Sequence, residues 1–567
     1  MTWRKRLQAV AATVGTGHSE TYSLVVNLWK GDVLRLSSIR IANYQRLPDL
    51  EIEVREHLVL VGPNDVGKTS ILNCINLLLG ASVQQIYASL GVRDLADTAL
   101  PLIVRGVLID FSDEERATFP DDIQVIDGDE SITVQLEVRI SDDDDQSVVV
   151  RRFFPETSGR SVSREQLEVV GWHYLPAGRS GAAEYIAGRR SPLRTLLAAA
   201  ELGEEGDDLK AALEAFNNRL DSSSALTELR GKIAEHLSQS MPRGLTVENL
   251  ALRTSADPAG DMLEDVDLFL KKDDGSHAAL MEQSDGVKQL MTMSFFDLAR
   301  EVANIVAVDE PELHLHASSQ RTVAELFARG RAQRLLVTHS PYVMQRFEPA
   351  HVAVVKADRS VHQVPETKFN VVQKEMANWW SPHLLEALTA RHTLLVEGAA
   401  DKVIVEAAAR VRGVNLDRLG VSVLDIGGAE KFRHVNKLLG PDGFDLDLMG
   451  LVDNAESAPW VNGLGLKPRD VNVRKVFVCA TDLEGEYVAA MGAPAVASAL
   501  IAEGVRKDSI LQSTGAADVS SILGERMAAF ARKDKVTFAV AVGHHLSEPQ
   551  LRAMPAMDGL LKYIATL

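Results

Sequence analysis

The sequence predicts an α/β protein with two successive blocks of parallel sheet. In the first block, an apolar strand, "HLVLV", leads through a glycine-rich turn into an apolar helix. In the second block, four short apolar runs end in polar or acidic residues: "HTLLVEG", "VSVLDIGG", "LMGLVDN" and "RKVFVCATDLEGE". Short buried strands with helices between them indicate parallel sheets. At 567 residues the chain exceeds one ordinary core, so we expect two or three domains.

The composition is that of a globular protein. It is 46% hydrophobic and 25% charged. The sequence contains no run of about 18 apolar residues, so neither a membrane-spanning helix nor a membrane partner is expected. The N-terminus superficially resembles a signal peptide, but its apolar stretch is short, which favours a disordered extension or a misplaced start codon. Only Cys74 and Cys479 are present, in different domains. A cytoplasmic location is therefore expected.

The net charge of −19 argues weakly against a surface coated in nucleic acid, but it does not describe local grooves. Part of the negative excess lies in "SDDDDQS", between two strand-like runs. This segment is interpreted as a solvated hairpin tip, with a metal site as the alternative.

The pattern of elements predicts four regions. Residues 1–32 form an N-terminal extension, and 33–356 form the nucleotide-binding domain. A helical segment at about 192–241 interrupts that domain. Residues 357–388 form a polar linker, and 389–567 form the second α/β domain.

The segment "GPNDVGKT" matches the phosphate-loop pattern G-x-x-x-x-G-K-[ST] between a strand and a helix. Its backbone N–H groups would face the phosphates of ATP, Lys68 would reach the outer phosphates, and the Thr69 hydroxyl would bind Mg²⁺. The predicted nucleotide-binding residues here are Gly62, Pro63, Asn64, Asp65, Val66, Gly67, Lys68, Thr69 and Ser70.

A second strand, "NIVAVDEPE", ends in two carboxylates. Asp309 is predicted to hold Mg²⁺ and to complete the nucleotide site, and Glu310 is predicted to polarise the attacking water.

Two further motifs define the type of ATPase. "MEQSDGVKQL" places Ser284 and Gly286 before Asp309, and "QRLLVTHSP" places His339 at a strand end after it. This order, together with the strand-like segment "LSSIRIANYQRLPDLEIEV", resembles ABC-type ATPases of the SMC and RecF-like branch.

The resemblance implies that Ser284 and Gly286 of one subunit cover the ATP of another and that His339 senses the γ-phosphate. A homodimer, or a larger even-numbered assembly, is therefore expected. The helical segment would elaborate that interface, with an ordinary packed insert as the alternative. The nearby His314 and His316 suggest zinc, but no cysteine or further histidine offers the remaining ligands.

Acidic residues follow successive strands of the second domain. The carboxyl ends of parallel strands meet in one crevice, so we expect these carboxylates to converge. Converging carboxylates repel unless a divalent cation neutralises them, and oxygen ligands favour Mg²⁺ or Mn²⁺. Two such ions can cleave a phosphodiester. The residues are Glu397, Asp401, Asp453, Asp482 and Glu484.

This block resembles a Toprim domain, whose opening glutamate motif would be "VEG". An ABC-type ATPase followed by Toprim looks like the OLD (overcoming lysogenisation defect) family of ATP-dependent nucleases. The resemblance implies that the five acids are metal ligands, with Glu397 also catalytic. It further implies that Lys535, or the less favoured Lys533, stabilises charge on the phosphate.

One departure concerns the second acidic strand. Toprim domains usually carry Asp-x-Asp there, whereas this chain reads Asp453-Asn454-Ala455. Asn454 or Glu456 is expected to compensate if the nuclease is active.

The leading hypothesis is an ATP-dependent, metal-dependent DNA endonuclease or nickase that defends against phage or foreign DNA. The alternative is an ATP-switched repair or recombination clamp with an inactive Toprim domain. A third hypothesis is a toxin-like or sensor protein that recruits a partner protein. A small-molecule kinase would leave the "MEQSDGVKQL" motif and His339 without a role.

Overall fold

A computed structural model describes ten segments of the chain: residues 34–141, 146–157, 159–177, 204–224, 226–228, 269–271, 277–279, 304–328, 332–365 and 380–567. The predicted N-terminal extension, Ser284 and Gly286 lie outside these residues, as does most of the predicted helical segment. The part of that segment within the described residues forms a helix, Glu204–Asp221.

The strands of the described residues are numbered in chain order. They are β1 Arg35–Ala42, β2 Leu50–Glu53, β3 His57–Val61, β4 Leu102–Ile109, β5 Gln124–Ile126, β6 Asp129–Ile140, β7 Val148–Phe153, β8 Trp172–Leu175, β9 Phe269–Lys271, β10 His277–Ala279, β11 Ile305–Asp309, β12 Gln333–Val337, β13 Val352–Val355, β14 Val361–Gln363, β15 His392–Val396, β16 Val421–Asp425, β17 Leu448–Val452 and β18 Val476–Val478.

The α-helices of the described residues are numbered in the same way. They are α1 Lys68–Leu79, α2 Val83–Ser89, α3 Asp113–Thr118, α4 Arg164–Val170, α5 Glu204–Asp221, α6 Ala317–Ala328, α7 Pro341–Met344, α8 Pro382–Leu385, α9 Ala399–Arg412, α10 Leu416–Leu419, α11 Phe432–Leu439, α12 Ser457–Gly463, α13 Leu483–Met491, α14 Ala493–Ala502, α15 Lys507–Thr514, α16 Gly524–Ala531, α17 Lys535–His545, α18 Glu548–Arg552 and α19 Pro555–Ile564.

An antiparallel sheet forms one layer of the first domain, with the order β2-β1-β4-β6-β5 and β7 also paired to β6. The predicted N-terminal strand pair is β1 and β2, and Ile39 lies opposite Ile52 in its register. The alternation of buried and less buried residues along β4 shows why the segment is a half-covered strand.

A mostly parallel sheet carries the phosphate loop, in the order β14-β13-β3-β12-β11-β8. The central strands β11 and β12 are buried along their whole length, as expected for a sheet covered on both faces. Strand β14 pairs antiparallel with β13, so this sheet extends into the region predicted as a linker. The domain boundaries stay predictions.

The second domain contains the predicted parallel sheet, in the order β16-β15-β17-β18. Its strands pair in parallel register, with Leu395 opposite both Leu424 and Gly450. Helices α9 and α17 pack against each other beside this sheet. The carboxyl ends of β15, β17 and β18 therefore lie along one edge.

One hydrophobic core joins the two domains. It contains Val61 and Leu336 of the first domain together with Leu395 and Leu424 of the second. The side chain of Lys356 forms an ion pair with Asp445 across the same boundary. The two domains are consequently packed together by buried apolar surface.

None of the individual helices in the described segments combines the length and the hydropathy of a membrane span. The bent pair α13 and α14 satisfies length and composition together, with an angle of 100° between its helices.

Candidate functional site: a phosphate loop and an acidic strand edge

The phosphate loop follows β3 in a conformation that requires glycine. Gly62 has φ +142°, and a Cβ there would lie 2.2 Å from the carbonyl oxygen of Val355. Gly67 has φ +101° and would place a Cβ 2.5 Å from Leu47. At Gly62 the obstructing atom is backbone, so glycine there is a steric necessity. At Gly67 the near atom ends the flexible Leu47 side chain, so the positive φ is the main reason for glycine.

Lys68 lies within the loop, only 6% exposed. Its Nζ donates to the carbonyl oxygens of Gly62 at 3.0 Å and Pro63 at 2.5 Å. Burial lowers the pKa of Lys68 to about 8. The loop thus holds the ammonium where the pattern requires it to meet the outer phosphates.

Thr69 and Asp309 meet across the sheet. The Thr69 hydroxyl donates to Asp309 Oδ1 at 3.3 Å, and Asp309 Oδ2 is buried without a hydrogen-bond partner among the described residues. Burial raises the pKa of Asp309 to about 6. A magnesium ion between this hydroxyl and carboxylate would satisfy the orphaned oxygen, so the residues fit the ion.

Glu310 follows β11 with φ +51°, a conformation unusual for a non-glycine residue. Its backbone N–H donates to Val337 O at 2.9 Å, which anchors the turn to β12. Strained backbone of this kind is concentrated at functional sites, which supports the predicted role of Glu310 in orienting water.

His339 is positioned by a carboxylate that sequence reasoning missed. Glu312 accepts hydrogen bonds from the Thr338 hydroxyl at 2.9 Å, His339 N–H at 2.6 Å and Ser340 N–H at 3.1 Å. Burial, with the nearby Lys68 charge, lowers the pKa of His339 to about 4. A neutral imidazole can accept or donate a hydrogen bond at the nucleotide.

The remaining predicted residues of this domain have no described contact with the nucleotide site. Ser284 and Gly286 lie outside the described residues. His314 and His316 are described, but within the described segments no group of three His, Cys, Asp or Glu side chains could hold a metal ion as it stands.

In the second domain, the predicted acids follow three neighbouring strands. Glu397 follows β15, Asp453 follows β17, and Asp482 caps helix α13 after β18. The Asp453 N–H donates to Glu397 Oε1 at 2.9 Å, and the Leu483 N–H donates to Asp453 Oδ1 at 3.1 Å. Hydrogen bonds therefore link the three strand ends.

Asp401 and Glu484 lie beside this row. Asp401 Oδ2 accepts from the Gly398 N–H at 2.8 Å, at the N-terminus of α9. Glu484 is 3% exposed, and its Oε2 has no hydrogen-bond partner among the described residues. A buried carboxylate oxygen without a partner is costly unless a proton or a cation reaches it.

Burial and mutual repulsion raise the proton affinity of this cluster. The pKa of Asp453 rises to about 7 through burial and the charges of Glu397 and Asp401. Burial raises the pKa of Asp401 to about 6, with Glu397 and Glu484 adding to the rise. Burial also raises the pKa of Glu397. Carboxylates that repel in this way are the environment in which a divalent cation is most favourable.

Two cations face the cluster. Arg532 Nε donates to Asp482 Oδ2 at 2.6 Å, and Lys535 Nζ lies 3.4 Å from Glu484 Oε1. Burial alone would raise the pKa of Asp482, but the hydrogen bonds from Arg532 and the Gly485 N–H, together with the charges of Arg532 and Lys535, outweigh burial and lower that pKa. Lys533 instead contacts Ser513 and the ring of Phe530. Of the two predicted lysines, Lys535 is the one placed at the acids.

The donor set fits a hard divalent cation, because every candidate ligand offers carboxylate oxygen. The carboxylates are not gathered around a common point, since within the described residues no such group would hold a metal in its present arrangement. Arg532 and Lys535 already neutralise part of the negative charge of Asp482 and Glu484, which bound metal ions would otherwise neutralise. Binding would therefore require Asp482 and Glu484 to turn from these cations.

The departure from Asp-x-Asp has a local structural counterpart. Asn454 begins a short 3₁₀ helix, Asn454–Glu456, and its N–H donates to Thr481 O at 3.0 Å. Glu456 is exposed, but its charge acts on Glu397 and helps to raise the pKa of that carboxyl. Glu456, one residue beyond the usual position of the second aspartate, is thus the carboxylate available to compensate.

Glu312 and Arg532 are candidate site residues that sequence reasoning missed. Each has a partner distant in the sequence: Glu312 binds residues 338–340, and Arg532 binds Asp482. The segment "ARKDK" offered a signal for Arg532 because it groups three cations before a helix.

Comparison with known families gives two matches along the chain. Residues 58–345 match the family model described as "AAA domain, putative AbiEii toxin, Type IV TA system". Residues 388–454 match the model described as "Overcoming lysogenization defect protein-like, TOPRIM domain". The first match covers the phosphate loop and His339, and the second covers Glu397 and Asp453.

Two curated relatives span both domains. The chain is 21% identical over 428 residues to Endonuclease GajA from Bacillus cereus (strain VD045), covering 70% of this chain and 71% of the relative. It is 23% identical over 440 residues to the OLD nuclease from Thermus scotoductus (strain ATCC 700910 / SA-01), covering 69% and 77%.

Among solved structures, the C-terminal region of the Burkholderia pseudomallei OLD protein is 20% identical, with a TM-score of 0.27, and covers 31% of this chain and 98% of that one. The SMC head domain from Thermotoga maritima is 15% identical, with a TM-score of 0.30, and covers 58% and 99%.

Proposed function

Since the chain belongs to the OLD family, in which an AAA-type ATPase domain precedes a TOPRIM domain, we propose that it is a metal-dependent DNA endonuclease or nickase controlled by ATP. The observation that carries the proposal is the row of hydrogen-bonded carboxylates at the carboxyl edge of the second sheet, with Lys535 beside it. The curated relatives are named as an endonuclease and a nuclease, which supports the same chemistry.

The nucleotide site would bind ATP through residues 62–70, with Thr69 and Asp309 holding Mg²⁺. Glu310 would accept a proton from the attacking water, and His339 would hydrogen-bond the γ-phosphate while Glu312 fixes its backbone. By family resemblance, Ser284 and Gly286 of a second copy would complete the site, which makes a homodimer part of the proposal.

At the acidic edge, Mg²⁺ or Mn²⁺ would activate water and stabilise the leaving oxygen of a phosphodiester. Glu397, Asp401, Asp453, Asp482 and Glu484 would hold these ions, with Glu456 in support. Lys535 would stabilise the negative charge that develops on the phosphate, since its Nζ already lies at the cluster.

Defence against phage or other foreign DNA is the proposed role. The supporting observation is the match to an overcoming-lysogenization-defect TOPRIM model. A cytoplasmic location is also proposed, and the two free, buried thiols of Cys74 and Cys479 suit a reducing compartment.

The proposal is tested with supercoiled plasmid, Mg²⁺ or Mn²⁺, and the purified protein with and without ATP. We expect nicked or linear product from the wild type and none from Glu397→Ala. Glu525→Ala, which removes an exposed carboxylate in α16, is the matched control and should cleave normally. Intact plasmid under every condition would contradict a nuclease.

The exposed Ala455, which stands where Asp-x-Asp has its second aspartate, favours one other function, an ATP-switched DNA clamp with an inactive Toprim domain. This function predicts ATP hydrolysis and DNA binding without cleavage. The plasmid assay with the wild type separates the two, because only the nuclease cleaves. Lys68→Ala should abolish ATP hydrolysis in both cases and so tests the nucleotide site that they share.

A further inference from the structure

A large cleft lies between the phosphate loop and the outer face of the Toprim domain. Its volume is about 1010 Å³, and its ATPase corner is formed by Pro63, Asn64 and His339. Its other wall is formed by α9, the following loop and β16. Strand β16 is the edge strand of its sheet, so the cleft runs along an edge that no strand of the described residues covers.

The cleft is a fixed feature of the fold, because the domains on either side share a core. Val61, which immediately precedes the phosphate loop, belongs to the same buried cluster as Leu424 of β16. The Gln345 side chain adds a hydrogen bond to Trp380 O at 3.2 Å, and His362 Nε2 lies 2.8 Å from Gly443 O. The two walls therefore keep their separation without a ligand.

The phosphate loop identifies which part of a nucleotide would face this cleft. Lys68 Nζ lies 2.5 Å from Pro63 O, and in phosphate loops this lysine reaches the β- and γ-phosphates. Pro63 itself lines the cleft. The cleft consequently opens beside the position of the outermost phosphate.

Four cationic side chains line the Toprim wall, and they are called here the cleft cations: Arg391, Lys402, Arg410 and Arg418. Three acids, Glu386, Glu406 and Asp417, line the same wall. None of the cleft cations forms a salt bridge with another described residue, whereas Arg412 on the same helix is paired with Glu548 and Asp558. Arg410 Nε donates only to the backbone carbonyl of Glu406, at 3.4 Å. Guanidinium groups without a carboxylate partner in a concave site are suited to phosphate.

Helix α9 connects this wall to the acidic edge. Its 14 residues span about 21 Å, with Asp401 in the first turn and Arg410 in the last turn. Lys402 follows Asp401 directly, so one helix carries both a predicted metal ligand and cleft cations. A rigid helix transmits a displacement at one end to the other.

We propose that the Toprim domain contacts the γ-phosphate of the bound nucleotide directly, through the cleft cations of its own chain. A nucleoside triphosphate would then bridge the two domains, whereas a diphosphate would leave the cleft cations without their ligand. The proposal rests on the proposed function only in requiring that the phosphate loop binds ATP. It assigns to α9 the task of reporting the nucleotide state to Asp401.

The test measures nucleotide affinity, because that readout does not depend on cleavage. Binding of the β,γ-imido analogue of ATP and of ADP is titrated with Mg²⁺ for the wild type and for Arg391→Ala/Arg410→Ala. We expect the imido analogue to bind about tenfold more weakly to the variant and ADP to bind equally well, within the usual range of coupling between sites. Equal affinities for the imido analogue would overturn the inference, as would an equal loss for both nucleotides.

The matched control is Arg433→Ala/Lys437→Ala, which removes two exposed cations from α11 that do not line the cleft. It should bind both nucleotides like the wild type. If it loses the same tenfold, the effect is general electrostatics and the inference fails.

Two further measurements separate the possible failures. Lys68→Ala should weaken both nucleotides, and if it weakens neither, the proposed nucleotide site fails together with the inference. Hydrogen exchange on the wild type needs no variant: amides of α9 should exchange more slowly with the imido analogue than with ADP. Identical exchange with both nucleotides would overturn the inference even if the double variant does not fold.

Discussion

At the scale of single residues, the acidic edge stores electrostatic repulsion. Burial and the charges of Glu397 and Asp401 raise the pKa of Asp453 to about 7. A carboxyl group whose pKa is higher in the folded state than in the unfolded state binds more protons when folded. Between about pH 4 and pH 7 the folded protein therefore loses stability as the pH rises.

Asp453→Asn removes this ionisation. The metal-free variant should melt at a higher temperature than the wild type at pH 8, with a gain on the order of 2 kcal/mol, and at a similar temperature at pH 4. Thermal denaturation in EDTA at both pH values measures the difference. A variant less stable than the wild type at pH 8 would contradict the repulsion.

The Glu312 carboxylate stabilises the folded state, whereas the charge of Asp453 destabilises it. Its carboxylate accepts three hydrogen bonds, two of them from the backbone N–H groups of His339 and Ser340. Glu312→Ala would remove the acceptor of the His339 N–H and of the Thr338 hydroxyl, whereas the Ser340 N–H keeps its hydrogen bond to Thr338 Oγ1 at 3.0 Å. The variant is expected to cost about 3 kcal/mol of unfolding free energy, with loss of ATP hydrolysis. Urea denaturation measures the cost, and Glu348→Ala, at an exposed position, should change it by less than about 0.5 kcal/mol.

At the scale of elements, the phosphate loop shows what sequence can predict. The pattern of glycines, lysine and threonine specifies a strand, a loop and a helix, and the structure contains β3, the loop and α1 in that order. The signal is local because every residue that shapes the loop lies within a few positions. The parallel sheet of the second domain was predicted for a similar reason: each strand is a short apolar run with its own acidic terminus.

Gly62→Ala tests the steric basis of the loop. Its Cβ would lie 2.2 Å from Val355 O at φ +142°, so β3 and β13 would have to separate. We expect a loss of at least about 3 kcal/mol in stability and undetectable ATP binding, measured by thermal denaturation and by titration with a fluorescent ATP analogue. Gly91→Ala, where a Cβ would meet nothing within 4 Å, should be neutral in both assays.

Contacts between distant elements could not be predicted in this way. Glu312 has no motif of its own, and its partners at 338–340 follow it only after α6 and β12. Arg532 reaches Asp482 from a different helix. Strand β14 was placed in the linker because its three residues are too few to show a period.

At the scale of the whole molecule, the shared core is expected to make the two domains unfold as one thermodynamic unit. Phe444 of the second domain is fully buried in that core, where its ring stacks with Trp380 at a centroid distance of 6.0 Å. The sequence did not predict this boundary, because the apolar residues that form it resemble the ordinary core of either sheet.

Phe444→Ala should therefore destabilise both domains together, by about 3–5 kcal/mol. Calorimetry should show one transition at a lower temperature than in the wild type, and ATP hydrolysis and DNA cleavage should be lost at the same temperature. Two separate transitions, with only the Toprim domain affected, would contradict a common core.

The joint core also restricts how such a protein can diversify. A Toprim domain taken from a distant relative would pack different apolar side chains against Val61 and Leu336. Poor packing there would disturb β3 at Val61, the residue directly before the phosphate loop. Recombination between lineages is then expected to exchange the two domains together. Chimaeras should fold and function only when both domains contribute matching residues to the shared core.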